Sequence, residues 1–312
     1  GNTGRSIGAD RDVTFSGGGE LDNGTTFSMS TTLADNYEVS GSTTTITTPS
    51  LGSFQVGSST GSAAGYYDEE VPQAYEQISD GKQTMANLVG NYMDGNAISY
   101  TSPTFDVMGA SITVDAGYTP QAADSSEGDG SNDAWSNDWA EGKELGVRIA
   151  YDALQLGIYG AERENTTPAV AGSDSVSDEF NGVWYAKYNF GPVSIGYSES
   201  YLDSGVSETD AVGTTTAKTL RGSGGFFEGS QIGIAFNVNE SFSVSYTEST
   251  ETYNAQSEAA SQDVDQEIDA IQFAYSMGGM SIKAYQMDVT NPAFDEVAGD
   301  ASVTEIALGL AF

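Results

Sequence analysis

Apolar and polar residues alternate along most of this chain with a period of two. In 301–312, Ile306, Leu308 and Phe312 fall on one side of an extended segment, and small or polar residues fall on the other. The same alternation recurs in 143–152 and in most other segments. Because the side chains of a β-strand point to opposite faces in turn, the pattern predicts an all-β protein whose strands have one apolar face.

The alternation predicts fifteen strands. They lie at 11–20, 25–34, 43–50, 52–60, 96–102, 106–118, 143–152, 154–163, 180–190, 192–202, 227–238, 241–253, 265–277, 280–290 and 301–312. Many of them approach the ~9–11 residues that a tilted strand needs to cross a bilayer.

Short and long connections alternate between these strands. Short ones such as 21–24, 152–153 and 278–279 carry Gly, Asn or Asp, which supply the positive φ that tight hairpins need. Long ones, of which 61–95 is the longest, lie between them. This alternation is typical of antiparallel transmembrane β-barrels. A β-sandwich, the soluble alternative, has shorter strands and less regular loop lengths.

The two faces of each strand predict its surroundings. Fifteen apolar faces would overfill the interior of a small barrel, and a wide barrel holds water. We therefore expect the apolar faces to meet lipid and the polar faces to line a lumen. Tyr151, Tyr188 and Phe190 lie near short turns, where an aromatic girdle at the membrane interface is expected.

The number of strands bears on closure of the barrel. Fifteen antiparallel strands cannot close, because the first and the last would run in the same direction. We therefore expect sixteen strands in one domain, 1–312, with the first strand upstream of Gly1 or missing and 1–10 as a remnant of the first long loop. A strand within 1–10 is the alternative.

Composition narrows the function. The chain has 312 residues, 45 acidic against 10 basic side chains, a net charge of -35, and neither Cys nor His. Without His, Ser-His-Asp triads and most zinc sites are excluded, so an enzyme is not expected. The negative charge opposes binding to nucleic acid and suits contact with cations. The chain contains no run of about 18 apolar residues, so the sequence predicts no transmembrane helix.

Strand parity and loop length indicate the charged residues of a pore. The bases that parity places on lumen-facing sides are Arg148, Arg163, Lys187 and Lys283. Arg11 is a further candidate, although its parity formally points outward. The loop 61–95 carries an acidic cluster of Asp68, Glu69, Glu70, Glu76 and Asp80. A loop of this length is uncommon without a function.

Four stretches together carry a family resemblance. They are VTFSGGGELDNGTTFSMSTTL at 13–33, GSFQVGS at 52–58, YNFGPVSIGY at 188–197 and the terminal GLAF. With them the chain resembles the general porins of Gram-negative bacteria, specifically the trimeric porins of photosynthetic and marine α-proteobacteria. The scarcity of arginine and the missing first strand depart from that family.

The resemblance implies a homotrimer of barrels in the outer membrane, each barrel forming its own channel. It also implies that 61–95 folds inward and narrows the pore, with loop acids set against wall bases across the constriction. Such an arrangement would create a transverse field that favours small polar solutes.

A second acidic cluster suggests a divalent-cation site. Its carboxylates are Asp124, Glu127, Asp129 and Asp133. Hard cations such as Ca²⁺ take several carboxylate and carbonyl oxygens, although the spacing here does not match an EF-hand. Loop calcium also occurs in the resembled family, so Ca²⁺ is expected here or in 61–95. A solvated loop is the alternative, and no other cofactor is expected.

These features favour passive transport. We expect an outer-membrane diffusion channel for small hydrophilic solutes and ions, with a preference for cations. One alternative is a substrate-selective channel, for example for sugars, which would need an aromatic slide formed by Tyr159, Tyr185 and Tyr285. The other is an adhesion or structural barrel with a plugged lumen.

Overall fold

The computed structural model describes residues 13–33, 39–57, 63–78, 97–120, 122, 139–165, 177–203, 205, 225–254, 263–297 and 299–310. Within these ranges the regular structure is β-sheet with two single-turn segments, at Ala63–Tyr66 and Pro292–Phe294. Neither these turns nor any other helical segment of the described residues has the length and apolar character needed to cross a bilayer.

The described residues form sixteen strands. In chain order they are β1 (Val13–Glu20), β2 (Thr26–Leu33), β3 (Val39–Thr48), β4 (Gly52–Gly57), β5 (Ala97–Thr101), β6 (Phe105–Val107), β7 (Ala110–Thr119), β8 (Trp139–Tyr151), β9 (Leu154–Asn165), β10 (Glu179–Phe190), β11 (Val193–Asp203), β12 (Phe226–Asn239), β13 (Phe242–Asn254), β14 (Val264–Met277), β15 (Met280–Thr290) and β16 (Ala301–Leu310).

All sixteen strands belong to one antiparallel sheet. Fifteen of them follow one another in chain order, and β6 pairs with β7 beside β5. The register is continuous in most strand pairs, as in β10 and β11, where Phe180 pairs with Asp203 and Phe190 with Val193. It shifts at three described places, between Thr32 and Leu33, between Trp139 and Gly142, and between Asn237 and Asn239. Among the described residues no pairing joins β16 to β1. Because the strands alternate in direction, these two edges run the same way, as the sequence predicts.

One turn lies elsewhere than the sequence predicts. The predicted strand 106–118 is divided by a hairpin at Met108 and Gly109, both of which have positive φ. The preceding strand is therefore interrupted at Ser102–Thr104 and resumes as β6. Pro103 explains the interruption, because proline has no N–H to donate to a neighbouring strand. The hydroxyl of Ser102 compensates by accepting a bond from the Val114 N–H at 2.9 Å.

The predicted short turns are confirmed where they need unusual backbone conformations. Gly24, Asp152, Gly191 and Gly278 all have positive φ. These residues adopt left-handed conformations at low steric cost, which allows the strands to reverse within a few residues.

The predicted strand faces are confirmed. Leu145, Ile158 and Ile306 are 59%, 62% and 73% exposed, whereas Glu144 and Tyr159, on the opposite face, are 5% and 3% exposed. An apolar outer face of this extent is unfavourable in water and favourable in hydrocarbon. The arrangement thus fits a barrel that is apolar outside and polar inside.

Two segments between strands pack on the inner face of the sheet. One is 63–78, which precedes β5, and the other is Pro292–Phe294, between β15 and β16. Phe294 is fully buried, with its ring 5.3 Å from that of Phe227 and 6.4 Å from that of Tyr253. An inward fold of this last connection is not predicted by the sequence.

Replacing Ala293 by glycine is expected to stabilise the protein. Ala293 has φ of 59° and ψ of 34°, a left-handed conformation that costs a residue with a Cβ roughly 1–2 kcal/mol. Glycine removes that cost but loses more entropy on folding, so the net gain should be at most about 1 kcal/mol. Equilibrium unfolding in urea, with the protein in lipid vesicles, measures the change. The matched control, Ala307→Gly in β16, should destabilise, and equal effects of the two substitutions would contradict the expectation.

Candidate functional site

The segment 63–78 follows the inner wall from strand to strand. Its first residue donates from the Ala63 N–H to Glu144 Oε1 of β8 at 2.9 Å. Further along, Ala74 N–H donates to Ser245 Oγ of β13 at 2.9 Å. Tyr75 N–H donates to Gln272 Oε1 of β14 at 2.8 Å. The segment therefore follows the wall as an inner rim, as the inward fold predicted for 61–95 requires.

Tyr67 anchors the first half of this rim. Its hydroxyl donates to Asp115 Oδ2 of β7 at 2.8 Å, and its ring stacks on Tyr159 of β9 at 5.0 Å between centroids. Burial, followed by the bond to Asp115, raises the pKa of Tyr67 well above its ordinary value. The hydroxyl therefore remains a donor at any physiological pH.

Glycines in the wall make room for the rim. A Cβ on Gly146 would lie 2.3 Å from Tyr67 Oη, and one on Gly196 would lie 2.5 Å from Pro72 Cδ. A Cβ on Gly233 would lie 2.9 Å from the carbonyl oxygen of Pro72. Since real Cβ atoms do not approach this closely, the rim can lie flat against β8, β11 and β12 only where these positions carry no side chain.

Tyr75 anchors the other end of the rim. Its hydroxyl donates to Glu305 Oε1 of β16 at 2.8 Å, and its ring lies 6.0 Å from that of Tyr285. Burial and then the bond to Glu305 raise the pKa of Tyr75. Ile78 next to it is fully buried among inward-facing side chains of β14 and β15.

Arg148 faces inward, as predicted, and is held by the wall itself. Its Nε and Nη2 donate to the two carboxylate oxygens of Asp115 at 2.8 and 2.9 Å. Its guanidinium lies 4.0 Å from the ring centroid of Tyr66 in the rim. The side chain is 29% exposed, so this charge reaches water although it is paired.

Lys187 also faces inward and pairs with a predicted loop acid. Its ammonium contacts Glu70 in the rim and lies 5.3 Å from the ring of Tyr185. Both members of the pair are about a quarter exposed, at 22% and 26%. Lys283 lies 5.3 Å from the ring of Tyr75.

Arg163 requires a correction to the sequence-based assignment. Its side chain faces inward, as predicted, but it is fully buried together with Glu179 of β10. Arg163 Nη2 donates to Glu179 Oε2 at 2.9 Å. A paired charge without exposure contributes little to the field in open water, so we leave Arg163 out of the pore wall.

The predicted loop acids differ in exposure. Asp68, Glu70 and Glu76 are half-buried, whereas Glu69 is buried and accepts from Gln231 Nε2 at 2.9 Å. The other predicted site residues lie outside the described ranges. These are Asp80, Arg11, Asp124, Glu127, Asp129 and Asp133.

The transverse arrangement of charges that the resemblance implies stays a prediction, since 79–96 of the same loop lie outside the described residues. Arg148 and Lys187 touch the rim or its anchors directly, instead of facing it across open lumen. Beside them is a cavity of about 370 Å³ that Tyr66, Glu70 and Arg148 line. The inner face of β1 to β4 is instead rich in hydroxyls, including those of Ser28, Thr43, Thr45 and Ser53.

Sequence reasoning missed the acids that organise this wall. Asp115 holds both Arg148 and Tyr67, Glu144 binds the start of the rim, and Glu305 binds its other end. Each lies on the inward parity of its strand, which is the signal that could have found it. Their partners could not be found in this way, because those partners lie in other segments.

The aromatic slide considered for sugars is not present. Tyr159, Tyr185 and Tyr285 are 3%, 5% and 3% exposed, because the rim covers them. Among the described residues no group of three or more His, Cys, Asp or Glu side chains could by itself hold a metal ion. The calcium site predicted around Asp124 stays a prediction.

Comparison with known proteins agrees with this geometry. A family model for Gram-negative porins matches residues 1–197. Among solved structures, Salmonella typhi OmpF in complex with daunomycin has a TM-score of 0.63 at 13% identity, covering 98% of this chain and 93% of that one. A refined porin structure has a TM-score of 0.61 at 13% identity, covering 96% and 92%. A mutant of the Rh. blastica porin has a TM-score of 0.51 at 14% identity, covering 96% and 89%. No curated protein sequence matches the chain.

Proposed function

The chain belongs to the Gram-negative porin family, a family of passive outer-membrane channels, and from that premise we propose a diffusion channel that prefers cations over anions. Small hydrophilic solutes and ions would cross the outer membrane through the lumen without energy coupling or catalysis. The observation that carries the proposal is the rim of 63–78, which lies across the polar inner face of the sheet.

The charges at the rim support a preference for cations. Two of the three partly exposed bases at the described part of the rim are paired with acids, Arg148 with Asp115 and Lys187 with Glu70, so each pair is close to neutral. The third, Lys283, lies against the ring of Tyr75. Asp68 and Glu76 add further negative charge on the partly exposed side of the rim. Charge of one sign beside a narrow passage raises the local concentration of the opposite ion.

Removing the two acids Asp68 and Glu76 should weaken the preference for cations. One unit charge about 4 Å from a permeating ion is worth about 1 kcal/mol in water. Since about 1.4 kcal/mol is a tenfold factor, the double variant Asp68→Asn/Glu76→Gln should lower the cation-to-anion permeability ratio by a few-fold or more. Reversal potentials of reconstituted channels in a KCl gradient measure this ratio.

Glu248→Gln is the control for that measurement, because it removes one acid from the outward face of β13. It should leave the reversal potential close to that of the parent protein. Anion preference in the parent protein would contradict the proposal. An equal shift of the reversal potential in the control variant would contradict it too.

We also propose that three copies assemble side by side in the membrane, as the family resemblance implies. The outer faces of β1, β2 and β4 present Phe15, Met29, Phe54 and Val56 to the exterior, and in the assembly a neighbouring copy would replace lipid on one such face. Native mass spectrometry of the detergent-solubilised protein tests the assembly. A monomer as the dominant species would contradict it.

A further inference from the structure

The turn Pro292–Phe294 lies away from the two strands that it connects. It joins β15 to β16, which are neighbours in the sheet, yet Phe294 packs on inward-facing residues of β11 to β14. Strands of a sheet lie about 4.8 Å apart, so a turn that starts at β15 and reaches β12 crosses roughly 14 Å of inner wall. Two neighbouring strands can be joined by a few residues, so chain connectivity does not require this course.

An apolar pocket holds Phe294 in this position. Its walls are Leu202, Phe227, Tyr253 and Val264, each at most 2% exposed and within one residue of the end of its strand. These ends lead into the long connections, which are extracellular in outer-membrane barrels, so the pocket lies at the outer mouth. Burial of the Phe294 ring stabilises the inward position of the turn.

The backbone of the same turn opposes that position. Asn291, Ala293 and Phe294 have φ of 49°, 59° and 54°. This left-handed region is unfavourable for residues with a Cβ, and of the three only asparagine is commonly found there. Such conformations persist only where surrounding contacts hold them, and they cluster at switch regions. Packing and backbone strain therefore act in opposite directions on these few residues.

The two parts of the turn are held in different ways. At its start, Asn291 Nδ2 donates to the carbonyl oxygen of Asp265 at 2.9 Å, and the Ala293 N–H donates to Gln266 Oε1 at 2.7 Å. Both acceptors belong to β14. At its tip, the described contacts with the wall are apolar and come from the ring of Phe294. Release of one ring would thus free the tip while the start stays attached to β14.

We propose that 291–294 form a latch with two positions at the outer mouth. In the closed position Phe294 fills the pocket and the latch covers the inner wall at β13 and β14. In the open position Phe294 has left the pocket, the backbone strain is relieved and the mouth is wider. An element in which one buried ring balances backbone strain has two states of similar energy. This inference goes beyond diffusion and cation preference, since neither needs a moving part.

The reaction of an introduced thiol tests the opening of the pocket. The chain contains no Cys, so Leu202→Cys places a single thiol in the pocket wall. A charged methanethiosulfonate reagent can modify that thiol only while the pocket is open to water. Mass spectrometry follows the reaction in the full-length protein in detergent, with Leu202→Cys alone and combined with Ala293→Gly or Phe294→Ala. Val297→Cys, at a position 69% exposed, is the control and should react at one rate in all three backgrounds.

The two additional substitutions should change the rate in opposite directions. Phe294→Ala should raise it at least about tenfold, because it removes the ring that keeps the latch closed. It should also raise single-channel conductance in planar bilayers. Ala293→Gly should lower the rate by up to about fivefold, because it relieves strain in the closed position. Since Ala293→Gly leaves the contents of the pocket unchanged, a slower reaction there reports the position of the latch and not a missing ring.

Three results would overturn the proposal. They are a Leu202→Cys thiol that never reacts, equal rates with and without Ala293→Gly, and unchanged conductance in Phe294→Ala. If Phe294→Ala fails to fold, the comparison with Ala293→Gly decides alone, and Val264→Cys is the second reporter if Leu202→Cys fails to fold. Labelling needs no current, so a parent protein that does not conduct would contradict the proposed function without deciding whether the latch opens.

Discussion

Replacing Gly146 by leucine is expected to detach the rim from the wall and to raise single-channel conductance. Even the Cβ of the new side chain would lie 2.3 Å from Tyr67 Oη and 2.4 Å from Cζ of the same ring. Tyr67 cannot give way without losing its bond to Asp115 and its stacking on Tyr159. Overpacking of this kind typically costs about 1–3 kcal/mol. Because the rim lies on the inner face of the sheet, its displacement should widen the passage.

Recordings from planar bilayers measure the conductance, and the passage of uncharged sugars of increasing size measures the width. Gly160→Leu is the matched control, since Gly160 lies on the outer face of β9. There the exterior groove beside Leu145 and Phe180 has a volume of about 490 Å³. It should leave both quantities unchanged. Unaltered conductance in Gly146→Leu would show that the rim does not limit the passage.

Removing the carboxylate of Glu179 should cause the largest loss of stability. Glu179 and Arg163 are both fully buried and joined at 2.9 Å. A buried charge is expensive to keep once its partner is removed, and breaking such a pair typically costs about 3–5 kcal/mol. Glu179→Leu should therefore lower the free energy of unfolding by an amount of this order, as measured by urea titration of the protein in lipid vesicles.

The double variant Arg163→Leu/Glu179→Leu separates loss of charge pairing from loss of packing. The double variant removes both members of the pair at once, and replacement of a buried pair by apolar residues is often neutral or stabilising. The double variant should accordingly be more stable than Glu179→Leu. If the two were equally unstable, the pair would not be the cause, and packing at this end of β9 and β10 would be.

Much of the fold could be predicted because alternation is a local property. The inward or outward direction of Leu145, Ile158 and Ile306 follows from their parity alone, and positive φ at Gly24 and Asp152 follows from the residue types that tight turns favour. The prediction failed at 106–118, where both sides of the true hairpin are strand-like. The stretch around Pro103 has residues as typical of a turn as Met108 and Gly109 are, so the sequence placed the turn there.

The candidate site was predictable only in part. Strand parity correctly predicted that Arg148, Arg163 and Lys187 point inward. It could not predict which of these bases is exposed to water and which is buried. Arg163 is paired with Glu179, which lies opposite it on the next strand, and both side chains are fully buried. Lys187 contacts Glu70, which lies 117 positions away in the sequence. A contact between residues so far apart cannot be predicted from their spacing.

The sequence alone determined the strand order, the apolar exterior and the inward direction of the bases Arg148, Arg163 and Lys187, because each depends on residues next to one another along the chain. Only the tertiary structure decided where the rim lies and which charges it covers. Tyr67 meets Asp115 at a separation of 48 residues and Tyr75 meets Glu305 at 230. Such contacts arise when the sheet curves around the segment, and curvature depends on all the strands together.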